Sequence, residues 1–219
     1  AWRSPGGRTR AARLTLEWSP LDELDVVLKT TYSRTEDNDP AGSQPFCAPG
    51  IEAPTRSGVA DPTGDCRIDR NRSSPSAPPG LMVDWPGGRS GETYADLEVA
   101  LATLSATYRL TDTLELASVT GYYDLDFRMF GESTHTSLGG IWHTSPEYTK
   151  TFSQELRLSS HSPGPLNFML GAYFETSRRR NDATAIIGYF GPDPATGRHF
   201  SFLHDDKVDS DTYSLFGQL

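Results

Sequence analysis

The sequence predicts an all-β fold, an antiparallel transmembrane β-barrel segment of about seven strands with short turns at one end and long loops at the other. Three observations predict it. Segments of alternating apolar and polar residues recur along the chain, no convincing amphipathic helix competes with them, and tight turns alternate strictly with long connections.

The expected strands run near Arg13 to Trp18, Leu24 to Arg34, Leu97 to Tyr108, Leu114 to Phe127, Thr149 to Ser160, Leu166 to Arg178 and Thr212 to Leu219. In the first, Leu14, Leu16 and Trp18 alternate with Arg13, Thr15 and Glu17, so an extended chain has one apolar and one polar side. The second sets Val26, Leu28, Thr30 and Tyr32 against Val27, Lys29, Thr31 and Ser33. The fourth, LELASVTGYYDLDF, changes apolar parity after Leu116, which predicts a bulge near Ser118 to Gly121. In the fifth, Phe152, Leu156 and Leu158 share one side while Ser153, Glu155, Arg157 and Ser159 share the other. The sixth sets Phe168, Leu170, Ala172 and Phe174 against Met169, Gly171, Tyr173 and Glu175.

The connections SPLDEL, LTDTL and SHSPGPL carry the Pro, Gly, Asp and Ser of tight turns. The others are long, roughly Thr35 to Asp96, Met129 to Tyr148 and Asn181 to Asp211. Loops beyond ~15 residues are uncommon in compact soluble domains, whereas an outer-membrane barrel has short turns on one side of the bilayer and long loops on the other. A secreted β-sandwich remains the alternative. Trp18, Tyr108 and Phe168 fall near the turns, and Tyr32, Phe127 and Phe152 near the opposite end, as two interfacial aromatic girdles would.

Composition narrows the partners. The chain has 219 residues, 36% of them hydrophobic, and its mean hydropathy is -0.51. It contains no apolar run near the ~20 residues of a membrane helix. A net charge of -9 without a basic stripe argues against nucleic acid as a partner. Cys47 and Cys66, the two cysteines, share one Pro-, Gly- and Ser-rich loop. A disulfide between them would remove about 3 kcal/mol of loop entropy from the unfolded chain and implies an oxidising compartment. They are a poor zinc site, because tetrahedral zinc needs two further ligands at close spacing.

No nucleophile elbow, metalloprotease helix or phosphate-binding loop occurs; GGRSGE lacks the required spacing and lysine. The expectation is therefore a protein without catalysis, cofactor or metal. The acidic stretches HDDKVDSD (His204 to Asp211) and EDND (Glu36 to Asp39) read as solvated loops, and His135, His143, His161, His199 and His204 all fall in expected loops or turns. The candidate ligand-binding residues are Trp142 and His143, an aromatic and polar pair in the GGIWHTSPEY loop, together with Glu155 and Arg157 on the polar side of the fifth strand.

The phrases LTLEWSPLDELDVVLKTTYSR, ATYRLTDTLELASVTGYYD, TFSQELRLSS, NFMLGAYF and TYSLFGQL, in that order, resemble consecutive strands of TonB-dependent outer-membrane receptors, particularly the type abundant in sphingomonad-like bacteria. The resemblance covers most of the chain outside its loops, and the cysteine pair in the loop after the second strand is similar too. It implies a Gram-negative outer membrane and energy-coupled uptake of a scarce nutrient such as a ferric siderophore, a cobalamin or a glycan. The partners implied are outer-membrane lipid, the nutrient and the TonB system acting through a plug domain. It also implies that Phe152, Leu156 and Leu158 face lipid, and Glu155 and Arg157 the lumen. The chain shows no TonB box, plug or terminal barrel strand, and about seven strands fall short of the roughly 22 in such transporters. Residues 1–219 therefore read as a middle section of a larger barrel, with the long extracellular loop at about 35–96. A passive porin is the further alternative.

Overall fold

The computed structural model describes residues 6–38, 47, 50, 53, 55–56, 59–62, 64, 66, 75–82, 89–134, 136–188, 190–199 and 201–219. Alternating sequence folds as β1 (Gly7–Leu21) and β2 (Leu24–Asp37), and a small hairpin follows, β3 (Thr55–Arg56) and β4 (Val59–Ala60). After the short helix α1 (Pro79–Met82) come β5 (Tyr94–Thr111), β6 (Leu114–Glu132), β7 (Ile141–Thr144), β8 (Glu147–Ser160), β9 (Met169–Ile187) and β10 (Ser201–Gln218). All seven expected strands are present.

The main sheet is an antiparallel meander of eight strands. Neighbours pair in the order β1, β2, β5, β6, β8, β9, β10. β7 sits beyond the end of β8, between β6 and β9. The two are one strand position interrupted at Ser145 and Pro146, where proline has no N–H to give the ladder. The Pro146 carbonyl still accepts from the Asp182 N–H at 3.2 Å.

Two hairpins close through two-residue turns, Asp22-Glu23 and Asp112-Thr113, each beside a register shift. The third connection, 161–168, is fastened by Asn167, whose Oδ1 accepts from the Ser162 N–H at 2.7 Å, and by Ser160, whose Oγ accepts from the Phe168 N–H at 2.8 Å. These turns also hold one another. The Arg109 N–H donates to the Glu23 carbonyl and the His161 N–H to the Thr113 carbonyl, both at 2.8 Å.

Register converts the alternation into continuous faces. One row runs across every strand position as Leu16, Leu28, Leu104, Thr120, Gln154, Phe174 and Tyr213. With Trp18, Leu24, Val26, Ala106, Tyr108, Leu116, Leu156, Leu158, Leu170 and Leu215 it makes an apolar belt on one face of the turn-proximal half. A row of the other face at the same height reads Thr15, Lys29, Thr103, Gly121, Ser153, Glu175 and Thr212, which carries no apolar side chain.

Beyond the belt the same face becomes charged. Its row Arg10, Arg34, Glu98, Asp126, Tyr148, Arg180, Lys207 carries ion pairs from Arg34 to Glu98 at 3.1 Å and from Arg180 to Asp182 at 2.7 Å. The reverse face turns apolar there on β5 and β6, where Leu97 pairs with Phe127, Val99 with Leu125 and Leu101 with Tyr123. This exchange corrects the expected bulge in β6. The β5 to β6 register runs unbroken from Arg109↔Glu115 to Tyr94↔Phe130, through Ser118 to Gly121. Apolar parity changes because the faces exchange character, and because Ser118 and Thr120 occupy the belt. Phe127 consequently lies on the face opposite Tyr32 and Phe152; Tyr122, paired with Phe152, shares their face, one same-face step from the row of Tyr32.

Two expected loops are shorter than the sequence implies. β9 extends to Ile187 and β10 begins at Ser201, so HDDKVDSD belongs to a strand and alternates between faces. His204 is likewise in β10, and His143 in β7. His135 and Asp39 lie outside the described residues.

Candidate functional site

Glu155 and Arg157 occupy β8 on the polar face, where two-residue spacing puts both side chains on the same side. The Arg157 guanidinium donates to the Glu155 carboxylate. Across the strand, Glu155 pairs with Tyr173 and Arg157 with Gly171. Tyr173 donates its hydroxyl to Glu175 at 2.5 Å, and Thr151 and Ser177 are 3.0 Å apart. The result is a wall of mutually satisfied hydrogen-bonding groups suited to water and polar solutes.

Trp142 and His143 are elsewhere. As adjacent strand residues they point to opposite faces. Trp142 is 4% exposed and belongs to a small core with Phe130, Tyr94, Ile186, Ala77 and Leu81. Its ring lies against Gly139, where a Cβ would come within 2.7 Å of Cζ2 and where φ is +60, so glycine is required twice over. The indole Nε1 is buried without a hydrogen-bond partner. Trp142 thus packs β7 and α1 together, which corrects its reading as an open stacking surface beside His143. The His143 Nδ1 is 2.9 Å from the Ser133 hydroxyl. Some 12 residues of β7 and β8 separate His143 from Glu155, roughly 40 Å at ~3.3 Å per residue, so the four candidate residues do not converge.

The cysteines do meet: Cys47 and Cys66 form a disulfide with Cα atoms 5.6 Å apart. Among the described residues no group of three His, Cys, Asp or Glu side chains is placed to hold a metal ion, and no helix is long and apolar enough to cross a membrane.

At the upper margin of the belt, where sequence reasoning placed Tyr32 and Phe152, it missed Tyr122 and the bonds that the tyrosines make. The Tyr32 hydroxyl donates to Glu98 at 3.3 Å and the Tyr122 hydroxyl to Asp124 at 3.0 Å, so each ring ends the apolar belt while its oxygen reaches the charged one. The readable signal was a tyrosine followed within two residues, or across the strand, by a carboxylate. Inside the belt, Gln154 is satisfied by Thr120, which donates to its Oε1 at 2.7 Å, and by Ser118, which accepts from its Nε2 at 2.9 Å. An open apolar groove of about 640 Å³ lies beside it, lined by Leu156, Ala172, Phe174, Tyr213 and Leu215.

At the tip between β9 and β10, Asp193 accepts from the N–H groups of Thr196 at 2.8 Å and Ala195 at 2.9 Å, and from the Thr196 hydroxyl at 3.1 Å. These donors, the Thr196 N–H foremost, hold its carboxyl below the usual range. Comparison with protein-family models and with curated proteins finds no match to the chain.

Proposed function

We propose that this chain is a section of an outer-membrane β-barrel, in which the belt face meets lipid and the polar face lines the lumen, and that the barrel belongs to a TonB-dependent receptor. The observation that carries the membrane reading is the belt. From Leu24 to Tyr32 or from Ala100 to Tyr108 it spans about nine residues, roughly 30 Å of strand at ~3.3 Å per residue. A tilt of ~40° brings that near the ~25 Å height of a barrel's apolar band. Trp18 and Tyr108 end it beside the turns and Tyr32 and Tyr122 end it below the charged rows, where interfacial aromatics belong. A β-sandwich would need a second sheet over this face, yet Leu14, Leu16, Trp18, Leu104, Leu156 and Leu215 are all exposed.

The receptor reading rests on the ordered sequence resemblance and on the disulfide in the long loop. On it, the protein takes up a scarce nutrient such as a ferric siderophore, a cobalamin or a glycan. The TonB system supplies the work through a plug domain elsewhere in the polypeptide. Glu155 and Arg157 line the lumen as polar wall, and the chain acts without catalysis and without nucleic acid.

Deleting the gene should abolish high-affinity uptake of one nutrient, and collapsing the proton-motive force should stop that uptake in wild-type cells. Uptake that continued after collapse would replace the receptor with a passive porin. A protein recovered in the soluble fraction would remove the barrel altogether.

A further inference from the structure

Among the described residues, two of the fastenings that hold the connection from β2 to β5 to the rest of the molecule lie far from β5 in sequence. Ala77 and Leu81 pack into the Trp142 core. The other fastening is Asp61, 4% exposed. Its Oδ2 accepts from the Ser137 N–H at 2.6 Å, and its Oδ1 accepts from the Gly64 N–H at 3.0 Å and from the Ser137 hydroxyl. Ser137 belongs to the connection from β6 to β7. That connection is organised from its other side by Glu132, whose carboxylate accepts from the Thr134 N–H at 2.9 Å and the Thr134 hydroxyl at 2.6 Å. Asp61 also lies within the ring that Cys47 and Cys66 close, five positions before Cys66.

A carboxylate leaves water only where donors fill its lone pairs, and Asp61 finds them partly in its own ring and partly 76 residues away. We propose that the Cys47–Cys66 ring is a redox-sensitive strap, gripping the 133–140 connection through Asp61, so that opening the disulfide releases that connection as well as the ring. The closed ring limits where Asp61 can go, which favours the single placement that reaches Ser137. Once the ring is open, many more placements compete with it. The strap follows from these contacts alone and stands whether or not the protein is a transporter.

Amide hydrogen exchange on the full-length protein in lipid, read by mass spectrometry, tests it. A dithiol reductant opens the ring by two-electron reduction: the two sulfurs take up two protons as thiols while the dithiol closes to its own disulfide. Reduction should speed exchange across residues 133–140 at least tenfold while the paired centre of β5 and β6 keeps its protection. Asp61→Ala should do the same without reductant, and reduction of that variant should then add little at 133–140. Asp61→Asn, which keeps one acceptor, should fall between. Unchanged exchange at 133–140 after reduction overturns the strap, and so does protection lost throughout β5 and β6, which would make the disulfide a prop for the whole fold.

Discussion

The Tyr122 hydroxyl donates to Asp124 at 3.0 Å, two residues along the same face of β6, and this one bond marks where the apolar belt ends and the charged rows begin. Tyr32 makes the equivalent reach to Glu98 from β2. A phenol joins the two zones because its ring is apolar and its tip is wet. The height of the belt on β2 and β6 is therefore fixed by side-chain chemistry, and the effect of a charge should depend on its depth in the belt.

Leu104, in the middle of the belt between Leu28 and Thr120, should be the position least tolerant of charge. Leu104→Arg should destabilise the protein in lipid by ~2–4 kcal/mol, and Leu158→Arg, closer to the turns, by less. Arg157→Leu on the polar face should be tolerated better than either. Equilibrium unfolding in lipid vesicles measures all three, and equal penalties at Leu104 and Arg157 would contradict the face assignment.

Gln154 sits in the same belt row as Leu104 and is tolerable there because Ser118 and Thr120 complete its hydrogen bonds. Gln154→Leu removes the amide but leaves the Ser118 and Thr120 hydroxyls without it, and should cost about 1–3 kcal/mol. Gln154→Glu puts a charge where Ser118 has lost its donor partner, and should destabilise clearly unless the carboxyl stays protonated. The same unfolding measurement ranks the two.

Trp142→Ala should cost about 3–5 kcal/mol of stability, as truncation of a buried aromatic does, and should expose α1 around Leu81 to protease. Trp142→Phe should cost less. If Trp142 instead contacted a ligand from an open surface, the Phe variant would keep full stability and lose binding.

Asp193 predicts an acid-sensitive tip. Its folded-state pKa is lowered by the Thr196 and Ala195 donors, so its stabilising contribution is complete above the ordinary carboxylate range and is lost as pH falls through the lowered value. The tip between β9 and β10 should loosen only under strongly acid conditions. Exchange at Ala195 and Thr196, corrected for intrinsic rates, should show the transition, and Asp193→Ala should leave those two amides unprotected at every pH, while the Gly197 N–H keeps its bond to the backbone carbonyl of residue 193.

Much of this was legible in the residues. Strict alternation in Leu14 to Trp18, and a looser alternation in Leu24 to Tyr32, located strands and faces together, because a period of two is that of an extended strand. The turns were legible from Asp22 and Asp112. Strand ends at SRRRND and HDDKVDSD were not, since charged residues on both faces leave no apolar period and only the backbone ladder from Ser177↔Ser210 to Ile186↔Ser201 extends them. The β6 parity change was visible but misread as a bulge, because sequence alone does not say that the surroundings of a face change along its length. Trp142 was misjudged because its flanks, Gly139-Gly140 and Ser145-Pro146, read as loop while the four residues between them form a buried strand.

The central claim is that the belt face meets hydrocarbon, and the most direct measurement is depth-resolved quenching. With the native cysteines held in their disulfide, single cysteines replacing Leu104 and Thr103 in the full-length protein would carry an environment-sensitive fluorophore in vesicles. The label at 104 should be quenched by lipids with a quencher on the acyl chain, and the label at 103 by a water-soluble reagent. Aqueous quenching at both positions, or the reverse assignment, would contradict the claim.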